Sequence, residues 1–293
     1  MAGIEAFAEV APGVFSAAGN YVDNKNGIVR GTRCALAIDG GNDPEDGQAM
    51  ADHIRQLGGI PDRLALTHGH GDHILGAAAL ASGEVYAHAL TPRVMRRQIA
   101  GWAQRWNESP EEVAARLVWP TATYSDALRL DLGGKTVHLF PTPGHSEDGV
   151  SAFVEEDRVL FGGDAVVTGI VPAIGDGDSR ILEKSLHRLA RMEIDVLVPG
   201  HGPIVHGVEQ SRDWILWEAT YLFSVRRRAR ELLDQNADLA AVVDAIAFGE
   251  FVGDRLPSEQ HNMPGRHRNT VEKIVEEECR NNRIEDQSLV EDH

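Results

Sequence analysis

The feature that most constrains this chain is a run of six residues, His68-Gly69-His70-Gly71-Asp72-His73, placed where an apolar stretch, Leu64-Ala65-Leu66-Thr67, ends. Four side chains able to bind a metal fall within one turn. The interleaved glycines let the backbone bend sharply enough to aim them at common points. Such a run needs a strand to deliver it and a helix to carry the chain away, so it asks for a layered fold of strands and helices. Imidazole together with carboxylate suits zinc, with iron or manganese as alternatives. The plainer reading of the same run is a polar loop whose histidines cap the following helix.

Three further places repeat the theme. Pro143-Gly144-His145-Ser146 follows a predicted strand at 136–140, Gly162-Gly163-Asp164 follows one at 158–161, and Pro199-Gly200-His201-Gly202 follows one at 194–198. Each alone reads as a turn. Together with the first run they supply seven donors (His68, His70, Asp72, His73, His145, Asp164 and His201), enough for two metal ions.

The rest of the chain supports an alternating scaffold. Residues 35–39 read as a buried strand. Asp43 and Pro44 open a helix whose apolar face is Met50, Ile54 and Leu57, closed by Gly58-Gly59. An alanine-rich stretch after His73 predicts a helix, and 85–87 a strand. Residues 91–126 read as a helical insertion, with a capping box at Ser109–Glu112 and three of the five tryptophans, Trp102, Trp106 and Trp119. Hairpins are predicted for 128–140 and 150–161, and a helix for 181–192. Beyond Gly207 the spacing is helical, with a frayed polar tail from residue 284. Both halves run from strands to helices, a weak sign of duplication.

Charge and cysteine content narrow the partners. The net charge of −17 repels phosphate backbones and anionic membranes, which argues against nucleic acid or a membrane surface as partner. Two isolated cysteines, Cys34 and Cys279, form no disulfide framework. No signal-peptide pattern or long apolar run is seen, so a cytoplasmic enzyme with a small-molecule substrate is expected. A homodimer is left open.

With Asp39, the HxHxDH run at 68–73, His145, Asp164 and His201 in this order, the chain resembles the metallo-β-lactamase fold hydrolases over roughly residues 10–207. The resemblance implies an α+β fold, a four-layer αββα sandwich. A catalytic unit of 1–207 would carry the helical insertion, and residues 208–293 would form a helical C-terminal extension. It further implies that His68, His70 and His145 hold one metal and that Asp72, His73 and His201 hold a second. Asp164 would bridge the two, and Asp39 would orient a ligand histidine. The bridging aspartate and His70 are similar to the glyoxalase II-like thioesterases and lactonases. They are unlike the true β-lactamases or the diiron flavoproteins.

The expected chemistry is hydrolysis of an ester, thioester or lactone by a metal-bound hydroxide, with Asp72 and Asp164 as catalytic carboxylates. The rivals are a single-iron persulfide dioxygenase using His68, His145 and Asp164, and a phosphodiesterase or nuclease on the same scaffold. Other residues carry weaker expectations. His206, His261 and His267 are candidates to touch substrate, although His206 also reads as a surface residue. His88 reads as structural. The tryptophans of 91–126 either wall a pocket or pack. The basic run Arg226–Arg230 either binds an acidic group such as a coenzyme A phosphate or forms a solvated helix face.

Overall fold

Alternation within short strands decides which layer each side chain enters, because successive residues of a strand point to opposite faces. The computed structural model describes residues 4, 6–19, 21–235, 238–256 and 260–291. Among them, a first sheet runs in chain order through β1 (Ala8–Ala11), β2 (Val14–Ala18), β3 (Lys25–Arg30), β4 (Ala35–Ile38), β5 (Arg63–Ala65), β6 (Glu84–His88) and β7 (Ala122–Tyr124). Its first four strands are antiparallel, and β4 to β7 are parallel. On β4, Ala35 and Ala37 pack outward under helix α1 (Pro44–Gln56), while Leu36 and Ile38 face the second sheet. The Asp43 and Pro44 start of α1 is as expected, with Asp46 completing its capping box.

The second sheet has the order β13-β12-β11-β10-β9-β8. Its strands are β8 (Leu128–Asp131), β9 (Thr136–Pro141), β10 (Val150–Val154), β11 (Val159–Phe161), β12 (Val196–Val198) and β13 (Val205–His206). Both predicted hairpins form. Val159 and Phe161 face the first sheet, and Leu160 faces outward; Val196 and Val198 against Leu197 do the same. The result is two sheets face to face with helices on both outer sides, the αββα sandwich expected.

The stretch 91–126 holds α3 (Thr91–Trp106) and α4 (Pro110–Arg116), and then β7 at the sheet edge. One expectation fails. The alanine-rich run after His73 is not one helix but α2 (Gly71–Ile74) and a 3₁₀ turn at Ala77–Leu80. Gly76 interrupts it, pressed so closely on the chain before α1 that a Cβ would lie 2.2 Å from the carbonyl oxygens of both Gly40 and Asp43.

Outside the second sheet lie α5 (Ser179–Leu189), α6 (Val208–Leu233), α7 (Leu239–Asp244), α8 (Phe248–Val252) and α9 (Met263–Glu291). Ile215, Leu222, Val225, Val271 and Ile274 from α6 and α9 share one apolar cluster with Leu160, Leu186 and Leu197. The backbone of α9 stays helical through Glu291, where a frayed tail was expected from 284; Asp292 and His293 lie outside the described residues. No helix among the described residues is long and apolar enough to cross a membrane.

Strand direction explains the site's position. β9 and β11 both run antiparallel to β10, and β11 runs parallel to β12. The C-terminal ends of β9, β11 and β12 therefore share one edge of the sandwich. The two sheets are stitched at that edge by Val150 N–H donating to Thr67 O at 2.8 Å and Lys25 N–H donating to Gly200 O at 2.7 Å. Asn24 Nδ2 adds a bond to Asp72 O at 2.7 Å.

Candidate metal centre

The loops leaving β5, β9, β11 and β12 meet at this edge and bring all seven expected donors together. Three overlapping groups form: His68, His70 and His145; His68, His73 and Asp164; and Asp72, His73 and His201. Within each group the ligand atoms lie within 4.8 Å of one another. Asp164 sits at the middle. Its Oδ1 is 3.2 Å from His73 Nε2, and its Oδ2 is 3.4 Å from His145 Nε2 and 3.3 Å from His201 Nε2. Asp72 Oδ2 is 3.1 Å from His201 Nε2 and 3.7 Å from His73 Nε2.

Each imidazole is tied by its other nitrogen to an oxygen outside the donor set. His73 Nδ1 meets Asp39 Oδ2 at 2.8 Å, His145 Nδ1 meets Ala173 O at 2.8 Å, and His201 Nδ1 meets Val22 O at 3.0 Å. His68 Nδ1 lies 3.1 Å from Thr67 Oγ1, whose own proton goes to Asp39 Oδ2 at 2.8 Å; His70 Nε2 meets Asp176 Oδ1 at 3.2 Å. Carboxylates and carbonyls only accept, so these bonds keep a proton on the outer nitrogen and direct the inward nitrogen to the centre as the one available to a metal.

The inward atoms show what the site fits. His68 Nε2, His73 Nε2 and Asp164 Oδ1 are buried with no hydrogen-bond partner. His145 Nε2 and His70 Nδ1 face one another at 2.9 Å with both outer nitrogens already committed. Lone pair against lone pair is repulsive, and buried polar atoms without partners are costly. A cation among them resolves both problems, so the residues present fit a metal.

The electrostatics agree. Burial resists charge on Asp164, yet His201, His73 and His145 hold its carboxyl well below the usual range. Asp72 is likewise lowered against its burial, by His73 and His201. Burial and the neighbouring His73 and His70 push His68 well below the ordinary imidazole value. Against burial, the carboxylates raise His73 well above the ordinary imidazole value and His201 to about 9, so Asp164 and Asp72 favour positive charge at these two positions, which a cation would supply in place of the protons.

Glycine is required where the loops touch. A Cβ on Gly144 would lie 2.2 Å from Leu182 Cα of α5, and Gly144 has φ +139°. A Cβ on Gly200 would lie 2.0 Å from Asp164 Oδ1.

A cavity of about 300 Å³ opens over the centre, lined among others by Tyr21, Trp102, Val167, Ile170 and Val171. Of the three tryptophans only Trp102 reaches it. Trp106 stacks behind Trp102 at 6.1 Å, and Trp119 packs under Arg96 and donates to Ala114 O. Among the described residues, the remaining histidines do not line this cavity. His206 is exposed on β13. His267 is buried between Tyr221 Oη and Ile246 O, His88 Nδ1 accepts from Leu90 N–H, and His261 lines a neighbouring cavity.

The basic run is divided between arginines paired across helices and arginines that face outward. Arg226 pairs with Glu183, and the exposed Arg230 shares the buried Glu278 of α9 with Arg180, whereas Arg227 and Arg228 lie outward beside Glu231. Thr67 and Asp176 had not been singled out from the sequence. Asp176 lies between Gly175 and Gly177, the same glycine-flanked pattern as the other ligand loops, and could have been read from it.

The Metallo-beta-lactamase superfamily profile matches residues 26–201. A hydroxyacylglutathione hydrolase of Acidiphilium cryptum is 29% identical over 200 residues, covering 68% of this chain and 67% of that protein. An atrochrysone carboxyl ACP thioesterase of Passalora fulva is 27% identical, covering 67% and 52%. A beta-lactamase-like protein 2 homolog of Caenorhabditis elegans is 24% identical, covering 58% and 50%. The chain thus spans only about half the length of some relatives it matches. In structure it is similar to the sec-alkylsulfatase Pisa1 of Pseudomonas sp., with TM-score 0.72, 16% identity, and coverage of 94% of this chain and 50% of that one. It is also similar to a metallo-beta-lactamase family protein of Thermus thermophilus, with TM-score 0.67, 19% identity, and coverage of 94% and 95%. With the fold, the donor loops and a match over more than half of its length, the chain belongs to the metallo-beta-lactamase superfamily.

Proposed function

We propose that this chain is a hydrolase of esters, thioesters or lactones that works with two metal ions, zinc before iron or manganese. The observation that carries this reading is the convergence of five imidazoles and two carboxylates, among which His68 Nε2, His73 Nε2 and Asp164 Oδ1 are buried without a hydrogen-bond partner. The names of the hydroxyacylglutathione hydrolase and ACP thioesterase relatives favour a thioester.

In this reading His68, His70 and His145 would hold one ion and Asp72, His73 and His201 the other, with Asp164 placed between the two groups. Bound metal supplies Lewis acidity and lowers the pKa of a water toward about 7. The chain does the rest. Asp39, Thr67, Asp176 and the carbonyls of Val22 and Ala173 keep each imidazole in one orientation. Asp72 and Asp164, ionised at neutral pH, accept hydrogen bonds from the attacking water and fix its line of approach to the carbonyl carbon. Either can take up its proton and pass it to the departing thiolate or alkoxide. Trp102, Val167, Ile170 and Val171 keep bulk water from the acyl part. Ser146 is fully buried and donates to Asp148, so it serves no nucleophilic role. Residues 1–207 supply every ligand, and 208–293 complete the wall. The net charge of −17 opposes a nuclease.

The test is metal content per chain combined with hydrolysis of thioesters, lactones, phosphodiesters and β-lactams. Two metals per chain with thioester or lactone turnover is expected. Asp164→Ala should lose metal and most of kcat, and Asp72→Ala should lose about one metal. One iron per chain, with full metal and near-normal rate in Asp72→Ala, would replace this reading with the single-iron dioxygenase.

A further inference from the structure

We propose that the substrate carries an anionic group, and that Arg105 of α3 and Arg266 of α9 receive it in the cavity above the metal centre. This rests on the hydrolase reading for its reaction but on separate residues for its evidence. Both arginines line the cavity that also contains His70, Asp72, His145, Asp164 and His201.

The reasoning starts from charge pairing. The chain carries 45 acidic against 28 basic residues, so a guanidinium finds an acidic partner readily. The other arginines of α3 are engaged: Arg93 and Arg97 pair with Glu147, Arg97 also with Asp176, and Arg96 lies over the Trp119 ring. On α9, Arg268 pairs with Asp244 and Glu272. Arg105 and Arg266 make no ion pair, hydrogen bond or ring contact among the described residues. Lys184 and Arg191 are likewise without such a partner among the described residues, but they do not line this cavity, whereas Arg105 and Arg266 come to it from two helices far apart in sequence. Two planar guanidinium forks are suited to a carboxylate, sulfonate or phosphate, which they bind bidentately.

Arg266 also indicates the direction in which the substrate extends. It lines, together with Ala173, a second cavity of about 660 Å³ between the loop at 173–175 and α9. Its wall mixes Ile174 and Gly175 with Asn262, Asn269 and Lys273, and also carries the acidic Glu272 and Glu276. The two cavities adjoin at Ala173 and Arg266. A thioester at the metal centre would therefore place its anionic group at Arg266, where the cavities meet and short of Glu272 and Glu276, rather than along the apolar wall of Val167, Ile170 and Val171. The acyl part would lie on the apolar side. Specificity for charge then comes from α3 and α9, outside the donor loops, as grafted elements supply it on a shared scaffold.

The test uses the metal-loaded full chain and acetyl thioesters that differ in the charge of the leaving thiol: 3-mercaptopropionate, 2-mercaptoethanesulfonate, 3-mercaptopropanamide and thiocholine. Wild type should turn over the two anionic esters with kcat/KM at least about tenfold above the amide, and thiocholine worst, since a charge-assisted hydrogen bond is worth about that factor or more. A preference for the carboxylate over the sulfonate would identify which anion fits. Arg105→Gln and Arg266→Gln should each erase most of the preference, through KM, while metal content stays full.

A second readout needs no turnover. Calorimetric binding of 3-(methylthio)propanoate against 3-(methylthio)propanamide should favour the acid in wild type and lose that bias in both variants. The metals themselves attract a carboxylate, so the change on removing each arginine is the decisive quantity. A bias that survives both substitutions, or a wild type with no bias, overturns the proposal. Arginine-dependent binding of the acid without hydrolysis of any thioester would keep the anion site and discard the proposed reaction.

Discussion

Replacing Asp39 by asparagine tests whether the centre depends on imidazole orientation. Asp39 is buried and accepts three hydrogen bonds: from Thr67 N–H at 2.7 Å, Thr67 Oγ1 at 2.8 Å and His73 Nδ1 at 2.8 Å. Its backbone lies at φ +60°, which asparagine tolerates but alanine adopts only at a cost of about 1–2 kcal/mol, so Asp39→Asn isolates the side chain. Asparagine Oδ1 keeps the bond from Thr67 N–H. Its amide then points protons where both other partners now donate. His73 must present a lone pair at Nδ1 and move its proton to Nε2, the atom aimed at Asp164 and Asp72. Thr67 Oγ1, in turn, must redirect its proton toward His68 Nδ1, which forces the same switch on His68. Two ligand nitrogens are thereby capped with hydrogen. Loss of such an orienting partner costs about 10–100-fold in metal affinity, or about 1.4–2.7 kcal/mol. Chelator competition measures the affinity, and thermal unfolding of the metal-free protein serves as control. Unchanged affinity, or a loss explained wholly by a less stable metal-free fold, would refute the reasoning.

Glu218, buried on α6 and accepting from Val167 N–H at 3.0 Å, has its carboxyl raised well above the usual range by burial. Above the unfolded value of about 4.3 the folded chain keeps a proton that the unfolded chain has lost, so stability falls as pH rises toward the folded pKa. Glu218→Gln keeps the acceptor and should remove this loss; urea unfolding at pH 5 and pH 8 with the same slope in both proteins would contradict it. Gly200→Ala should displace the Asp164 carboxylate and lower bound metal, measured by mass spectrometry, whereas full occupancy would mean the loop yields easily. Trp102→Ala should raise KM or shift substrate preference with metal content intact, and Trp106→Ala, one layer back, should do so less. Equal kinetics in wild type and both variants would make the aromatic pair packing alone.

The donors were legible because they are local. All but His73 lie beside glycine, each group follows a short apolar run, and a strand's end fixes the direction of the loop that follows it. Successive residues of β4, β11 and β12 take opposite faces, but both faces are apolar, so which one meets the other sheet was decided by packing and not by the sequence pattern. The orienting role of Asp39 came from family resemblance, and the hydrogen bond to His73 supplies its physical content. Other features were decided by contacts between residues distant in sequence. Gly76 breaks the alanine-rich helix only because the chain before α1 presses on it. Arg226 and Arg230 read as a basic face until Glu183 and Glu278, the latter 48 residues beyond Arg230, neutralise them. The same holds for the groups that orient the ligands: Ala173 O, Val22 O and Asp176 reach histidines up to 179 residues away. What each residue can do chemically is written in its type and its neighbours. Which partner it finds, and which arginine of a helix remains unpaired and faces the cavity, depends on how the chain brings distant segments together, and that is set by packing of the whole.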